Sequence, residues 1–393
     1  MHQIKCKLLK ESRVNHDFLF FSPISLQVWY ILRKRVKTHR RELMKKIWFS
    51  LFCAGLLLVL TSCGQGQAEQ QDAETKQKIA LILGFGGVDD RSFNQAGWEG
   101  LEKWGAAKKL QAKKDFTYIE TNDPQENSTN INQAVENGFT TIISLSYLQA
   151  DALEEAAKQH PELKFALVDG EVKGIKNVVS ATFKDQESAY LAGLAAAYTT
   201  KTNEVGFIGG MEGPVIQRFQ KGFEAGVEAG AKELKKEIKV SVQYAASYDA
   251  PDKGKVIAAA MYEAGADILY QAAGSTGAGV FQEAKARNEN APDQKVWVIG
   301  VDRDQSDEGN YQLADGKMGN FTLTSTKKNV GAAVTEIAES ISDKKFSGGK
   351  SLHFGLKEAG VDLTDGQLSE SARQAVAIAK NKIIKEELIV PEK

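Results

Sequence analysis

Cysteine is nearly absent from this chain: its 393 residues include 3, at Cys6, Cys53 and Cys63. None lies beyond residue 63, so the body of the protein can form no internal disulfide and no cysteine-based metal site. Histidine is equally scarce, with 5 in all and only His160 and His353 after residue 63. Histidine-dependent catalysis and histidine-rich metal binding lose most of their ground. Net charge is missing as well, since 50 Lys and Arg stand against 51 Asp and Glu, a formal −1. The electrostatic footprint of a nucleic-acid binder is lacking, and no nucleic-acid partner is expected. What remains is ordinary globular composition, 42% hydrophobic and 26% charged, in a chain with room for two domains.

The N-terminus reads as an address. In MKKIWFSLFCAGLLLVLTSCG (44–64), Lys45 and Lys46 form a positive n-region and residues 47–60 an apolar core. That core is shorter than the roughly 20 residues a membrane span needs, and fits a signal peptide. It ends in Leu60-Thr61-Ser62-Cys63, which has the form of a bacterial lipobox. There, small residues admit the lipoprotein signal peptidase and the thiol takes a diacylglyceryl (palmitate-bearing) anchor. The plainer alternative is a secretory signal with an incidental cysteine. The Gln/Glu-rich stretch 64–77 reads as a flexible tether. Residues 1–43, mixed basic and aromatic, precede an already complete signal peptide. They are expected to be a misassigned extension, with translation starting at Met44; mapping the precursor's N-terminus checks this.

From residue 78 the chain alternates apolar, β-rich runs with helical patterns. The first series of strands is expected at 78–84, 116–121, 140–146, 164–169 and 177–183, and the second at 204–210, 238–247, 266–273, 295–302 and 319–326. Helices are expected between them at 93–110, 150–160, 186–200, 215–234 and 252–265. Continuous apolar strands alternating with helices imply parallel sheets covered on both faces. Two series in succession imply two doubly wound α/β lobes. Ligands bind beyond the carboxyl ends of such strands, so the cleft between the lobes is the expected site.

One stretch, LGFGGVDDRSFNQAGWEG (83–100), has the strand, glycine turn and helix start of a phosphate cradle. Its LGFGG lacks the G-x-G-x-x-G spacing, GSTGAG (274–279) runs G-x-x-G-x-G, and GGKS (348–351) lacks the earlier glycine of a Walker A loop. No nucleophile elbow or metal-ligand cluster accompanies them. An enzyme on a Rossmann-like fold is therefore the weaker reading.

The same stretch, with SAYLAGLAAAYTTKTNEVGFIGGM (188–211), QAAGSTGAGVFQEAK (271–285) and WVIGVDRDQ (297–305), resembles the basic membrane protein family of bacterial lipoproteins, the PnrA-like purine nucleoside receptors. The resemblance covers residues 78–393. It implies a type I periplasmic-binding-protein fold of two Rossmann-like lobes with a hinge. By analogy lobe one holds 78–182 plus 321–347, and lobe two 183–320 plus 348–393. It further implies a substrate-binding subunit of an ABC importer, anchored through Cys63 on the extracytoplasmic face of a Gram-positive membrane. A nucleoside in the cleft and an ABC permease would be its partners. No cofactor or metal is expected, and the protein is expected to act as a monomer.

A nucleoside needs aromatic faces for its base and acceptors for two ribose hydroxyls. By the resemblance, Phe93 stacks on the base and Tyr248 is the opposing ring, a tyrosine where phenylalanine is more usual. The bland alternative for Phe93 is the first core residue of a helix face continued by Gly97, Leu101 and Trp104. Asp302 would accept both ribose hydroxyls, with charge-assisted bonds stronger than neutral ones; Lys328 would reach the ribose from the other lobe. Gly274 would bring backbone close to the ligand. Asp90 and Asn94 flank Phe93 and either cap its helix or orient the site, and Ser92 with Gln95 has capping-box spacing. Two departures stand out. Nucleoside-binding members carry a base-reading aspartate where this chain has Gly84. Tyr147 replaces a phenylalanine, in a loop where those members carry an asparagine and this chain has Ala150 or Asp151. These changes put base specificity in question, and leave open a different small ligand such as a sugar or signalling molecule. A surface adhesin without transport is a third reading.

Overall fold

The computed structural model describes residues 77–393 apart from Ala314. The expectations for the start at Met44, the signal peptide, Cys63 and nearly all of the tether fall outside the described residues.

The first series folds as expected, with each apolar run a parallel strand. Strand β1 (Ile79–Ile82) leads into α1 (Phe93–Ala107), β2 (Phe116–Ile119), α2 (Glu126–Glu136), β3 (Thr141–Leu145), α3 (Ala150–Gln159), β4 (Lys164–Val168) and β5 (Val178–Phe183). Every residue of β1 and β3 is buried, as a strand covered on both faces requires. The second series runs α4 (Asp185–Thr199), β6 (Glu204–Gly209), α5 (Pro214–Leu234), β7 (Lys239–Tyr244), α6 (Pro251–Glu263), β8 (Ile268–Ala272), α7 (Thr276–Asn290) and β9 (Trp297–Gly300). A hairpin, β10 (Asn310–Gln312) with β11 (Met318–Asn320), precedes β12 (Thr322–Lys328). After it come α8 (Val330–Ser342), β13 (Ser351–Phe354), β14 (Val361–Leu363) and α9 (Glu370–Ile384). No helix among the described residues is long and apolar enough to cross a membrane.

The two six-stranded sheets have matching orders, β13-β5-β4-β3-β1-β2 and β14-β12-β9-β8-β6-β7. All pairs are parallel except β12 with β14. The expected lobe boundaries need correction. Residues 322–328 were assigned to lobe one, yet β12 pairs with β9 in the second sheet. Residues 351–354 were assigned to lobe two, yet β13 pairs with β5 in the first. Each sheet takes its fifth parallel strand before the chain leaves it, so β12 occupies in lobe two the place of β5 in lobe one.

The chain thus passes between the lobes at Lys184, at Asn329 and across 355–360. These crossings are tied side by side: the Lys184 amide donates to Phe354 O (2.9 Å) and the Asn329 amide to Gly360 O (2.8 Å). Helix α4, buried from Asp185 to Ala197, lies against α5. The approach is so close that a Cβ on Gly226 would stand 2.0 Å from Tyr190 O. This seam fixes α5, and hence Arg218, relative to Asp185 at the first crossing.

Candidate functional site

The carboxyl ends of both sheets face one another across a cleft. Lobe one contributes the loop after β1 (Gly84, Phe85), the start of α1 (Asp90, Phe93, Asn94), the loop after β3 (Ser146, Tyr147) and Asp169 after β4. Lobe two contributes the first turns of α5 (Val215, Ile216, Phe219), Tyr248, Gly274 after β8, Asp302 after β9 and Lys328 at the end of β12. The cleft therefore gathers Phe93, Tyr248, Asp302, Lys328, Gly274, Asp90, Asn94 and Tyr147, every ligand residue expected from the sequence.

Asp302 sits where a binding residue belongs, just past a strand end, and is held at φ 65° in the left-handed region. Its equivalent in the other lobe, Asp169 past β4, has φ 68°. Asp302 Oδ2 accepts a 2.5 Å hydrogen bond from Ser92 Oγ of lobe one. Burial pushes the Asp302 carboxyl up to about 6, against the pull of Lys328 and the Ser92 bond.

Lys328 departs from expectation. It was to reach the ribose from the lobe opposite Asp302, but β12 lies beside β9, and the Lys328 amide donates to Asp302 O at 2.8 Å. Lys328 is 3% exposed, and its ammonium lies 2.7 Å from Asp169 Oδ2 and 3.0 Å from Asp185 Oδ1. It also lies over the rings of Phe93, Phe183 and Phe219, at 5.2, 5.0 and 5.3 Å from their centroids. Burial works against its charge, but the carboxylates of Asp169, Asp185 and Asp302 outweigh it and hold the pKa above the ordinary lysine value.

Sequence reasoning missed the partners of this lysine. Asp185 opens α4 fully buried, and Arg218 of α5 bonds it through Nη2 (2.8 Å) and Nε (3.1 Å). Arg218 Nη2 also lies 3.7 Å from Asp169 Oδ1. Burial raises the Asp185 carboxyl, while Lys328 lowers it, Asp169 raises it and Arg218 lowers it. Asp169 had a legible signal, an aspartate ending an apolar run just as in WVIGVD. Asp185 and Arg218 had none, because their pairing depends on the helix seam.

The residues flanking Phe93 divide their work. Asp90, 4% exposed, accepts backbone N–H bonds from Ser92 (2.8 Å), Asn94 (2.8 Å) and Gln95 (3.1 Å), which makes it the cap of α1. Burial raises its carboxyl to about 7 against those bonds. The capping box suggested by Ser92 and Gln95 does not form, because Ser92 turns to Asp302 and Gln95 to Glu99 (2.7 Å). Asn94 clamps the loop after β1: its Oδ1 accepts from the Gly84 amide (2.9 Å), and its Nδ2 donates to Gly84 O (3.2 Å) and Phe85 O (3.1 Å). Both of its amide hydrogens are thereby used. Phe93 is half-buried at the cleft, while Gly97, Leu101 and Trp104 behind it are buried. Gly274, at φ 56°, packs against Tyr248.

The lobes are closed on one another. Arg91 Nη1 meets Glu308 Oε2 (2.6 Å), Gln305 Nε2 donates to Arg91 O (3.0 Å), and Ser275 Oγ donates to Gly86 O (3.1 Å). The hydroxyls of Tyr147 and Tyr248 meet at 3.3 Å.

Known proteins match this chain over most of its length. It is 46% identical over 355 residues to the ABC transporter nucleoside-binding protein BmpA of Lactococcus lactis subsp. cremoris, covering 89% of this chain and 100% of that protein. It is 41% identical over 360 residues to the CD4+ T-cell-stimulating antigen of Listeria innocua, covering 89% and 100%. Basic membrane protein A of Borreliella burgdorferi is 32% identical over 323 residues, with 80% and 87% covered. Among solved structures, an ABC transporter solute-binding protein from Aeropyrum pernix superposes with a TM-score of 0.71 at 24% identity, covering 81% of this chain and 94% of its own. The fold is that of the type I periplasmic binding proteins. The PnrA-like family is one of binding proteins rather than enzymes, and its model matches residues 76–393. With the motifs and the two-lobed cleft, that match means that the chain belongs to the PnrA-like family of ABC transporter substrate-binding proteins.

Proposed function

We propose that this protein captures a nucleoside between its lobes and delivers it to the permease of an ABC importer. It does so as a monomer tethered by a lipid on Cys63 at the extracytoplasmic face of the membrane, after cleavage of the signal peptide immediately before Cys63. The observation that carries this reading is one closed cleft holding Phe93, Tyr248, Asp302, Asp169 and Lys328. The rings supply stacking faces for a base. Asp302 accepts ribose hydroxyls, displacing Ser92. Asp169 Oδ1, a buried oxygen with no hydrogen-bond donor of its own, is a second acceptor. Lys328 steadies both carboxylates.

Charge supports a nucleoside over a nucleotide. Three carboxylates, Asp169, Asp185 and Asp302, surround two cations, Lys328 and Arg218, and both cations are already paired. A phosphate monoester would add about −1.5 to −2 of charge to this excess. Purine nucleosides are the favoured ligands. With glycine at position 84 the base edge meets no carboxylate, so discrimination among bases is looser than a dedicated acceptor would impose. The name of the Lactococcus relative, a nucleoside-binding protein, accords with this reading.

Ligand contacts to both lobes favour the closed state, which is the form that docks on the permease. A thermal-shift panel of nucleosides, free bases, pentoses and nucleoside monophosphates tests the reading. Stabilisation by nucleosides and none by monophosphates is expected; no shift with any nucleoside sinks it, and a shift with pentoses alone makes this a sugar receptor.

A further inference from the structure

We propose that Tyr147 and Tyr248 act as one recognition unit: a hydroxyl pair that closes across the lobes and presents a hydrogen-bond donor to an acceptor edge of the base. The proposal rests on the nucleoside reading and concerns which bases the site prefers.

The two tyrosines come from different lobes, and their hydroxyls meet at 3.3 Å when the lobes close. Both rest on the loop between β6 and α5. A Cβ on Gly213 would lie 2.6 Å from the Tyr147 hydroxyl, and one on Gly210 2.4 Å from the Tyr248 ring. The loop's glycines therefore make room for this pair in particular. Apart from the Met211 amide, which donates to the Tyr248 oxygen, each hydroxyl's partner among the described residues is the other. Asp169 is near enough for its charge to act on Tyr147, but its oxygens face Lys328 and Arg218.

Hydrogens can then be counted. Two hydroxyls carry two hydrogens, and their mutual bond uses one whichever way it runs. The Met211 amide occupies a lone pair and consumes no hydrogen. One hydrogen remains at the cleft.

The neighbouring wall carries no carboxylate. Gly84 has no side chain, and the Asn94 amide is spent on the loop after β1. Gln149 turns behind the wall to donate to Leu83 O at 2.8 Å. Ser146 Oγ accepts from the Leu148 amide, a bond that leaves its own hydrogen available to donate. The resemblance places an acceptor at this edge, at position 84; the edge instead presents donors. With Tyr248 as a stacking ring, its hydroxyl end lies at the rim of the base, where ring nitrogens and carbonyls are found.

The test uses the mature protein with adenosine and its 1-deaza, 3-deaza and 7-deaza analogues, each lacking one ring acceptor, measured by isothermal titration calorimetry. One analogue is expected to bind about 5- to 10-fold more weakly than adenosine. That penalty should vanish in a Tyr147→Phe, Tyr248→Phe double variant, whose fold is checked by its Tm. The two single variants should be non-additive, because either surviving hydroxyl still carries a hydrogen. Equal binding of all three analogues, a penalty that survives in the double variant, or strict additivity overturns the proposal. Failure of adenosine itself to bind, together with every other riboside, would instead overturn the nucleoside reading beneath it.

Discussion

Two parts of the same cleft are built in opposite ways. The floor, where Asp169, Asp185, Arg218, Lys328 and Asp302 meet, is charged, buried and already partnered. The wall formed by Gly84, Phe85, Ser146 and Tyr147 holds no charge and spends its polar atoms mostly on its own backbone. The floor therefore serves the fold and the ligand together, and a change there is felt in both. The wall carries less of the fold, so a change there can alter ligand choice at a smaller cost in stability.

Removing Lys328 should break this contrast most severely. In Lys328→Met the buried carboxylate of Asp169 loses its nearest cation and that of Asp185 one of its two, and a loss of about 3–5 kcal/mol of stability is expected by denaturant unfolding. An unchanged unfolding midpoint would mean that the floor is not holding the lobes. Next in size is Asp302→Ala, which removes the acceptor of two charge-assisted bonds. Riboside affinity should fall at least about 100-fold by calorimetry, while free bases lose far less.

A smaller effect is expected on the wall. A Cβ at position 84 would stand 2.8 Å from Leu145 O, so Gly84→Asp must shift the neighbouring strand end. A cost of about 1–3 kcal/mol in thermal unfolding should accompany a preference for bases presenting N–H groups at that edge. If selectivity stays put while stability falls, position 84 does not face the base.

The smallest expected effect comes from pH. With its carboxyl raised to about 6, Asp302 contributes stability that is full below its unfolded value near 4 and is lost as pH rises through about 6. Asp90, raised to about 7, acts in the same sense. If Asp302 accepts the ribose hydroxyls as proposed, riboside binding needs its anion and should run the other way, weakening about tenfold from pH 7 to pH 5. Calorimetry across that range checks the opposition; an affinity independent of pH would remove Asp302 from the contact.

Much of the frame was legible in the sequence, because a parallel strand buried on both faces must be a continuous apolar run, as KIALILG and KFALVD are. Phe93, Asp302 and Tyr248 were legible through strand-end position and motif. What escaped follows from pairings that no local pattern encodes. Arg218 meets Asp185 across 33 residues of chain, only because α4 and α5 lie backbone to backbone. The lobe boundaries slipped because residues 322–328 and 351–354 both join their sheets late in the chain, and only their partners tell which sheet each enters. The capping box at Ser92 failed for a similar reason, since its hydroxyl found a partner 210 residues away in the other lobe.

The side-by-side crossings at Lys184, Asn329 and 355–360 turn the molecule into a lever. When the lobes swing apart, each atom moves in proportion to its distance from that axis. Lys328 and Asp185 border the fulcrum in sequence and space, so their contacts change little with angle. Arg91 and Glu308, at the exposed rim, separate furthest for the same swing. A ligand entering the open form thus meets an electrostatic floor already assembled, and the work of closing is spent at the rim, where water screens charge and the two sides part easily.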